Sequence, residues 1–120
     1  MFDRHVLDLD LEQETRAIGD QLRTLVTRTL HRRGVVVAVS GGIDSSVTLA
    51  LAVRALGPER VLGVLMPERD SSSASVELGT EVCEHLGVEH VIEDISATLT
   101  AIGCYDRFEA AVRQVFPDYG

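Results

Sequence analysis

The chain has 120 residues, room for one domain and no more. Hydrophobic residues make up 45% and charged residues 25%, the balance of a soluble globular chain, and no apolar run reaches the roughly 20 residues of a membrane span. The formal net charge is −8 and every basic residue is arginine. An acidic surface repels phosphate backbones, which excludes nucleic acid as a general partner; a polyphosphate ligand would need local dipoles and a metal cation to offset the field.

The first residues, Met-Phe-Asp-Arg-His, lead into no apolar stretch, so no signal peptide is expected and the chain reads as cytoplasmic, with no membrane partner. Two cysteines, Cys83 and Cys104, are too few for a disulfide framework and form no CxxC pair; they read as small buried hydrophobes. From Leu11, the positions Ile18, Leu22, Leu25, Val26 and Leu30 recur at helical spacing, acidic residues lead, and His31, Arg32 and Arg33 close the segment before Gly34. Residues 1–33 thus form an N-terminal helix with one apolar face.

Residues 34–96 read as a βαβαβ core. Val35-Val36-Val37-Ala38-Val39 is a strand expected to be buried on both faces. A largely apolar helix follows over about 44–56 and stops at Gly57-Pro58. A second buried strand spans 61–65. A helix over about 72–86 carries Val76, Gly79, Val82, Cys83 and Leu86 on one face, and a third strand spans 91–95. This alternation predicts an α/β fold with a parallel sheet, whose ligands bind beyond the carboxyl ends of the strands. The tail, 97–120, reads as two short helical pieces around Gly103, ended by Pro117.

The chemistry lies in Ser40-Gly41-Gly42-Ile43-Asp44-Ser45, where the first strand turns into a helix. Gly41 and Gly42 let a ligand approach the main chain, free N–H groups gather at the helix start, and the helix dipole adds positive charge there. Hydroxyls of Ser40, Ser45 and Ser46 add donors, so the loop suits a phosphate or pyrophosphate. Asp44 either caps the helix or holds a cation against the phosphates; the residues leave both open. The Walker pattern is absent and cannot be completed without a lysine, and GxGxxG is absent too. Ala38-Val39-Ser40-Gly41-Gly42 approaches the hydrolase elbow GxSxG, with Asp70 and His90 following in order, but such an elbow normally follows several strands and here only a helix precedes it.

The Ser-Gly-Gly-Ile-Asp-Ser loop resembles the SGGxDS signature of the ATP pyrophosphatases, the PP-loop family. Met66-Pro67-Glu68-Arg69-Asp70-Ser71-Ser72 with Ser75, closing on Leu86-Gly87, is similar to the segment after the second strand in the NAD synthases of that family. The resemblance covers about residues 35 to 95. It implies a Rossmann-like three-layer fold of which this chain holds only the first half, and an ATP-dependent amide ligase. In such an enzyme ATP adenylates the carboxylate of deamido-NAD, and ammonia, free or from a separate glutaminase, then forms the amide and leaves AMP and pyrophosphate. It further implies that Ser40, Gly41, Gly42, Ser45 and Ser46 hold ATP phosphates, that Asp44 binds magnesium, that Leu65 and Met66 contact adenine, and that Arg69 lies near the nucleotide. Leu78-Gly79 departs from the Asp-Ala pair usual in the family. Because the family order places further strands beside residues 35–39, that strand is expected to be an apolar edge covered by a homodimer partner, another chain or further sequence.

Other readings are a different ATP pyrophosphatase acting on a sugar or nucleotide, an ATP-binding module without turnover, and a structural domain in which the Ser-Gly-Gly turn is only a turn. His5, His31, His85 and His90 show no metal-ligand spacing, Tyr105 and Phe108 read as packing within the tail, and Glu93 and Asp94 as ordinary acidic residues at a strand end.

Overall fold

A computed structural model describes residues 8–119. Helix α1 (Leu11–Thr24) starts at Asp10, whose carboxylate accepts the Gln13 N–H at 3.0 Å, and widens into one π turn over Leu25–Thr29. His31, at φ 51°, turns the chain toward the sheet. The apolar stripe predicted for this helix is only partly used. Val26 is buried, while Ile18, Leu25 and Leu30 stay exposed, and the Arg23 Nε–H fastens α1 to the next helix by donating to the Ala55 carbonyl at 3.0 Å. His5 lies outside the described residues.

Strand β1 (Val35–Ala38), helix α2 (Ile43–Leu56), β2 (Val61–Leu65), α3 (Ser73–His85) and β3 (Glu89–Ile92) follow in turn. The strands form one parallel sheet in the order β1-β2-β3, with Val37 beside Gly63 and Gly63 beside His90. Val37, Val39, Val61 and Leu65 share one core with Leu49 and Ala52 of α2 and Cys83 of α3, so both helices cover the same face. The cysteine reading holds for Cys83, fully buried, and less for Cys104, which is half-buried.

Burial on both faces, expected from the continuous apolar runs, is not what these strands show. It alternates instead: Val37 and Val39 are inside, whereas Val36 keeps 65% of its surface and Val91 45%. No described element packs across that second face closely enough to bury them, and β1, paired with β2 alone, is an outer edge.

The third strand is also displaced from the expected 91–95. It begins at Glu89, which pairs with Leu62, because an outer strand tolerates polar residues and the apolar count alone misses its start. Ile95 instead precedes helix α4 (Ser96–Ala101), and Gly103 at φ 68° breaks the chain into α5 (Cys104–Val115).

Candidate functional site at the carboxyl ends of the strands

The turn between β1 and α2 is built by its own side chains. Ser45 Oγ donates to the Gly42 carbonyl at 3.0 Å and accepts the Ser40 N–H at 3.2 Å; Ser46 Oγ donates to the same carbonyl at 2.9 Å. The hydroxyls of Ser45 and Ser46 therefore hold the turn, because a serine at a helix start lies within reach of the carbonyl three or four residues back. Ser40 Oγ shares a contact with Ser45 Oγ at 3.1 Å and meets the Gly42 N–H at 3.4 Å. None of these neighbours is a base, so the hydrolase elbow has no structural support.

Gly41 is required twice over. Its φ is +77°, and a β-carbon there would sit 2.5 Å from the Ser75 carbonyl oxygen. With the turn closed this way, the N–H groups of Gly41, Ile43, Asp44 and Ser45 have no acceptor among the described residues, at the start of a 14-residue helix.

Asp44 does not cap that helix. Gly42 occupies the cap position with no side-chain bond, and Asp44 stands in the first turn, its carboxylate exposed and without a hydrogen bond or ion pair. Among the described residues no group of three or more His, Cys, Asp or Glu could hold a metal by itself. A hard cation at Asp44 would therefore need most of its oxygens from ligand phosphates and water, a fit for one carboxylate beside unbonded amides.

A crevice of about 180 Å³ opens beside the turn, between Val39 and Ser40 on one side, Leu65, Met66 and Pro67 on the second, and Ser71, Ser75 and Val76 on the third. That volume is below the roughly 300 Å³ of a complete small-ligand site. Leu65, 1% exposed, forms its floor, and Met66, 46% exposed, its rim. Gly79 belongs to the packing beneath: a β-carbon there would meet Leu65 Cδ2 at 2.8 Å, which gives the departure at Leu78-Gly79 a local reason. A larger groove, about 1000 Å³, runs along the amino ends of the strands past Arg32, Arg33, Glu59 and Arg60, opposite the end where parallel sheets bind ligands.

Arg69 is no free loop arginine. Its guanidinium bonds to Asp70 at 3.3 and 3.4 Å and lies 3.9 Å above the ring of Tyr105, and the Asp70 bond raises its pKa. Tyr105, read from sequence as tail packing, is instead buried against the 66–72 loop, where its hydroxyl donates to Glu68 Oε2 at 2.9 Å. Only contact across 37 positions reveals that pairing, and no local pattern signals it. Phe108 does stay in the tail, edge-on to Tyr119 with ring centres 6.4 Å apart. Asp94 has a local task, accepting the Ser96 N–H at 2.8 Å at the start of α4.

A family model described as NAD synthase matches residues 14–115. The chain is 52% identical over 115 residues to the NH(3)-dependent NAD(+) synthetase of Mesorhizobium japonicum, covering 96% of this chain and 36% of that protein. Its fold superposes on the NH3-dependent NAD synthetase of Campylobacter jejuni in complex with nitrate, with TM-score 0.72 and 33% identity, covering 78% of this chain and 40% of that one. It also resembles the glutamine-dependent NAD+ synthetase of Acinetobacter baumannii in complex with ADP, with TM-score 0.61 and 32% identity, over 88% of this chain and 20% of that one. The chain spans about 36% of the length of the curated relatives it matches.

Proposed function

Because this chain belongs to the NAD synthase family, we propose that it supplies the ATP-binding part of an ATP-dependent amide ligase working in the cytoplasm. The carboxylate oxygen of deamido-NAD attacks the α-phosphorus of ATP and pyrophosphate leaves. Ammonia then attacks the activated carbonyl and AMP leaves. The NH(3)-dependent names of the relatives favour ammonia as the nitrogen donor.

The observation that carries this reading is the set of four unbonded amides beside the unpartnered Asp44 carboxylate, at the carboxyl end of a parallel strand. The amides of residues 41 and 43–45, with Ser40 Oγ, hold the phosphates while Gly42, Ser45 and Ser46 shape the turn. Asp44 would hold a magnesium ion, which when bound supplies positive charge that offsets the −8 chain and the departing pyrophosphate. Met66 at the rim, over Leu65, faces adenine, with Arg69 next along the loop. The A. baumannii relative, described with ADP, supports an adenine nucleotide.

A second reading has a specific observation behind it. The open sheet face and the edge at β1 favour a nucleotide-binding part that turns over only when another polypeptide or a second copy covers them. Calorimetry with magnesium and ATP, alongside pyrophosphate release in the presence of deamido-NAD and ammonia, separates the two. Heat with pyrophosphate supports the ligase, heat without it the module, and no heat removes both. Light scattering on the eluted chain reads the association; a stable monomer would count against it.

A further inference from the structure

We infer that Tyr105 is a positioning residue for the nucleoside end of the crevice: from α5 it holds the loop between β2 and α3 in the shape that lines the site. The inference rests on the nucleotide-binding reading above. Of the loop, Met66, Pro67 and Ser71 form crevice wall. The loop is organised around one carboxylate. Glu68 Oε1 accepts the Asp70 N–H at 2.9 Å and the Ser71 hydroxyl at 3.4 Å, and Ser71 Oγ accepts the Glu68 N–H at 3.0 Å.

The other oxygen of that carboxylate, Oε2, accepts the Tyr105 hydroxyl at 2.9 Å. The same phenolic oxygen accepts the Arg69 N–H at 3.3 Å, and the Tyr105 ring carries the Arg69 guanidinium on its face at 3.9 Å. One turn along α5, Glu109 stands 3.9 Å from Arg69 Nη2. Tyr105 therefore uses both its hydroxyl and its ring on the loop while only 8% exposed. A residue wanted only for burial would not need the hydroxyl, and a leucine would fill the space without a polar atom to satisfy.

The consequence is a division of labour. The phosphate end, residues 40–46, holds its own shape, whereas the nucleoside end is shaped by a helix 36 residues away in sequence. Removing the Tyr105 hydroxyl should loosen the loop without touching the turn.

The test uses the 120-residue chain, Tyr105→Phe (hydroxyl lost, ring kept) and Tyr105→Leu (ring lost as well). Affinity is measured by calorimetry for magnesium-ATP and for magnesium tripolyphosphate, which has no nucleoside, and deuterium exchange is followed at the amides of Arg69, Asp70 and Ser71. Losing a bond to a charged group should weaken ATP binding by about tenfold in Tyr105→Phe, and further in Tyr105→Leu, with the tripolyphosphate constant unchanged within about twofold. Faster exchange at the three amides should accompany the loss. Equal ATP affinity in Tyr105→Phe, unchanged exchange, or a parallel fall for both ligands would overturn the inference while leaving the nucleotide-binding reading in place. Should the unaltered chain bind neither ligand, that reading fails and the inference with it. Tyr105→Phe keeps the test decisive even if Tyr105→Leu fails to fold.

Discussion

The two loops that meet at the crevice are held by opposite means. The turn over 40–46 closes on its own serines, with Ser45 and Ser46 both bonded to the Gly42 carbonyl, and so leaves the amides of Gly41, Ile43, Asp44 and Ser45 unbonded. The loop over 66–72 takes its shape from Glu68, which Tyr105 anchors from α5, and from the Ile95 N–H, which donates to the Pro67 carbonyl at 3.0 Å. A turn with unbonded amides can thus be encoded in seven consecutive residues, whereas the wall beside it depends on packing by the tail. Damage to the first should be local and severe, and damage to the second graded and transmitted from afar.

The largest expected effect breaks the self-held turn. Gly41→Ala places a β-carbon at φ +77° and 2.5 Å from the Ser75 carbonyl oxygen, a backbone atom that cannot rotate aside. Left-handed strain and overlap together should destabilise the chain by about 3 kcal/mol, read by urea unfolding, and abolish magnesium-ATP binding. A loss below about 1 kcal/mol would mean that the turn and α3 move apart readily, and the contrast between a rigid and a dependent loop would weaken.

Next in size is Asp44→Asn, which separates binding from stability. With no capping bond to lose, the variant should unfold within about 0.5 kcal/mol of the parent. Its affinity for magnesium-ATP should fall at least about tenfold, the scale on which metal sites respond to altered ligands. In chelator the order should reverse, because a bare carboxylate repels phosphate and an amide does not. A variant that loses stability instead would restore the capping reading that the geometry removed.

How far the sequence could show all this follows from the same division. Local signals were sufficient for the turn: Gly-Gly after a β-branched run fixes where strand becomes helix, and Val61–Leu65 is a strand by composition alone. Gly57 and Gly103 stop their helices by backbone conformation, which needs no partner to read. Burial was less legible. An apolar run like Val35-Val36-Val37 states what a strand could bury, and only the arrangement of other elements decides what it does bury, hence the open face at Val36. The start of β3 at Glu89 was hidden for the related reason that pairing with Leu62, not hydrophobicity, defines it. Tyr105 was hidden most completely, since its partners Glu68 and Arg69 lie 37 and 36 positions away.

The smallest expected effect tests the second tether of the dependent loop. Asp94 accepts the Ser96 N–H at the start of α4, and Ile95 between them donates to Pro67, so this turn bond steadies the segment after β3 from which the loop is held. Hydrogen bonds from the Ser96 hydroxyl and then its N–H keep the Asp94 carboxyl below the usual carboxylate range. A carboxyl depressed on folding contributes stability that is fully present above its unfolded value, about 4, and is lost as pH falls through the lower folded one. Asp94→Ala should therefore lower the thermal midpoint slightly at neutral pH, with faster deuterium exchange at Ile95, and the difference should shrink as pH falls below the usual carboxylate range. If the difference persisted undiminished at low pH, the ionised carboxylate would not be what steadies this end of the loop, and the Ile95 backbone bond would remain beside Tyr105 as its support.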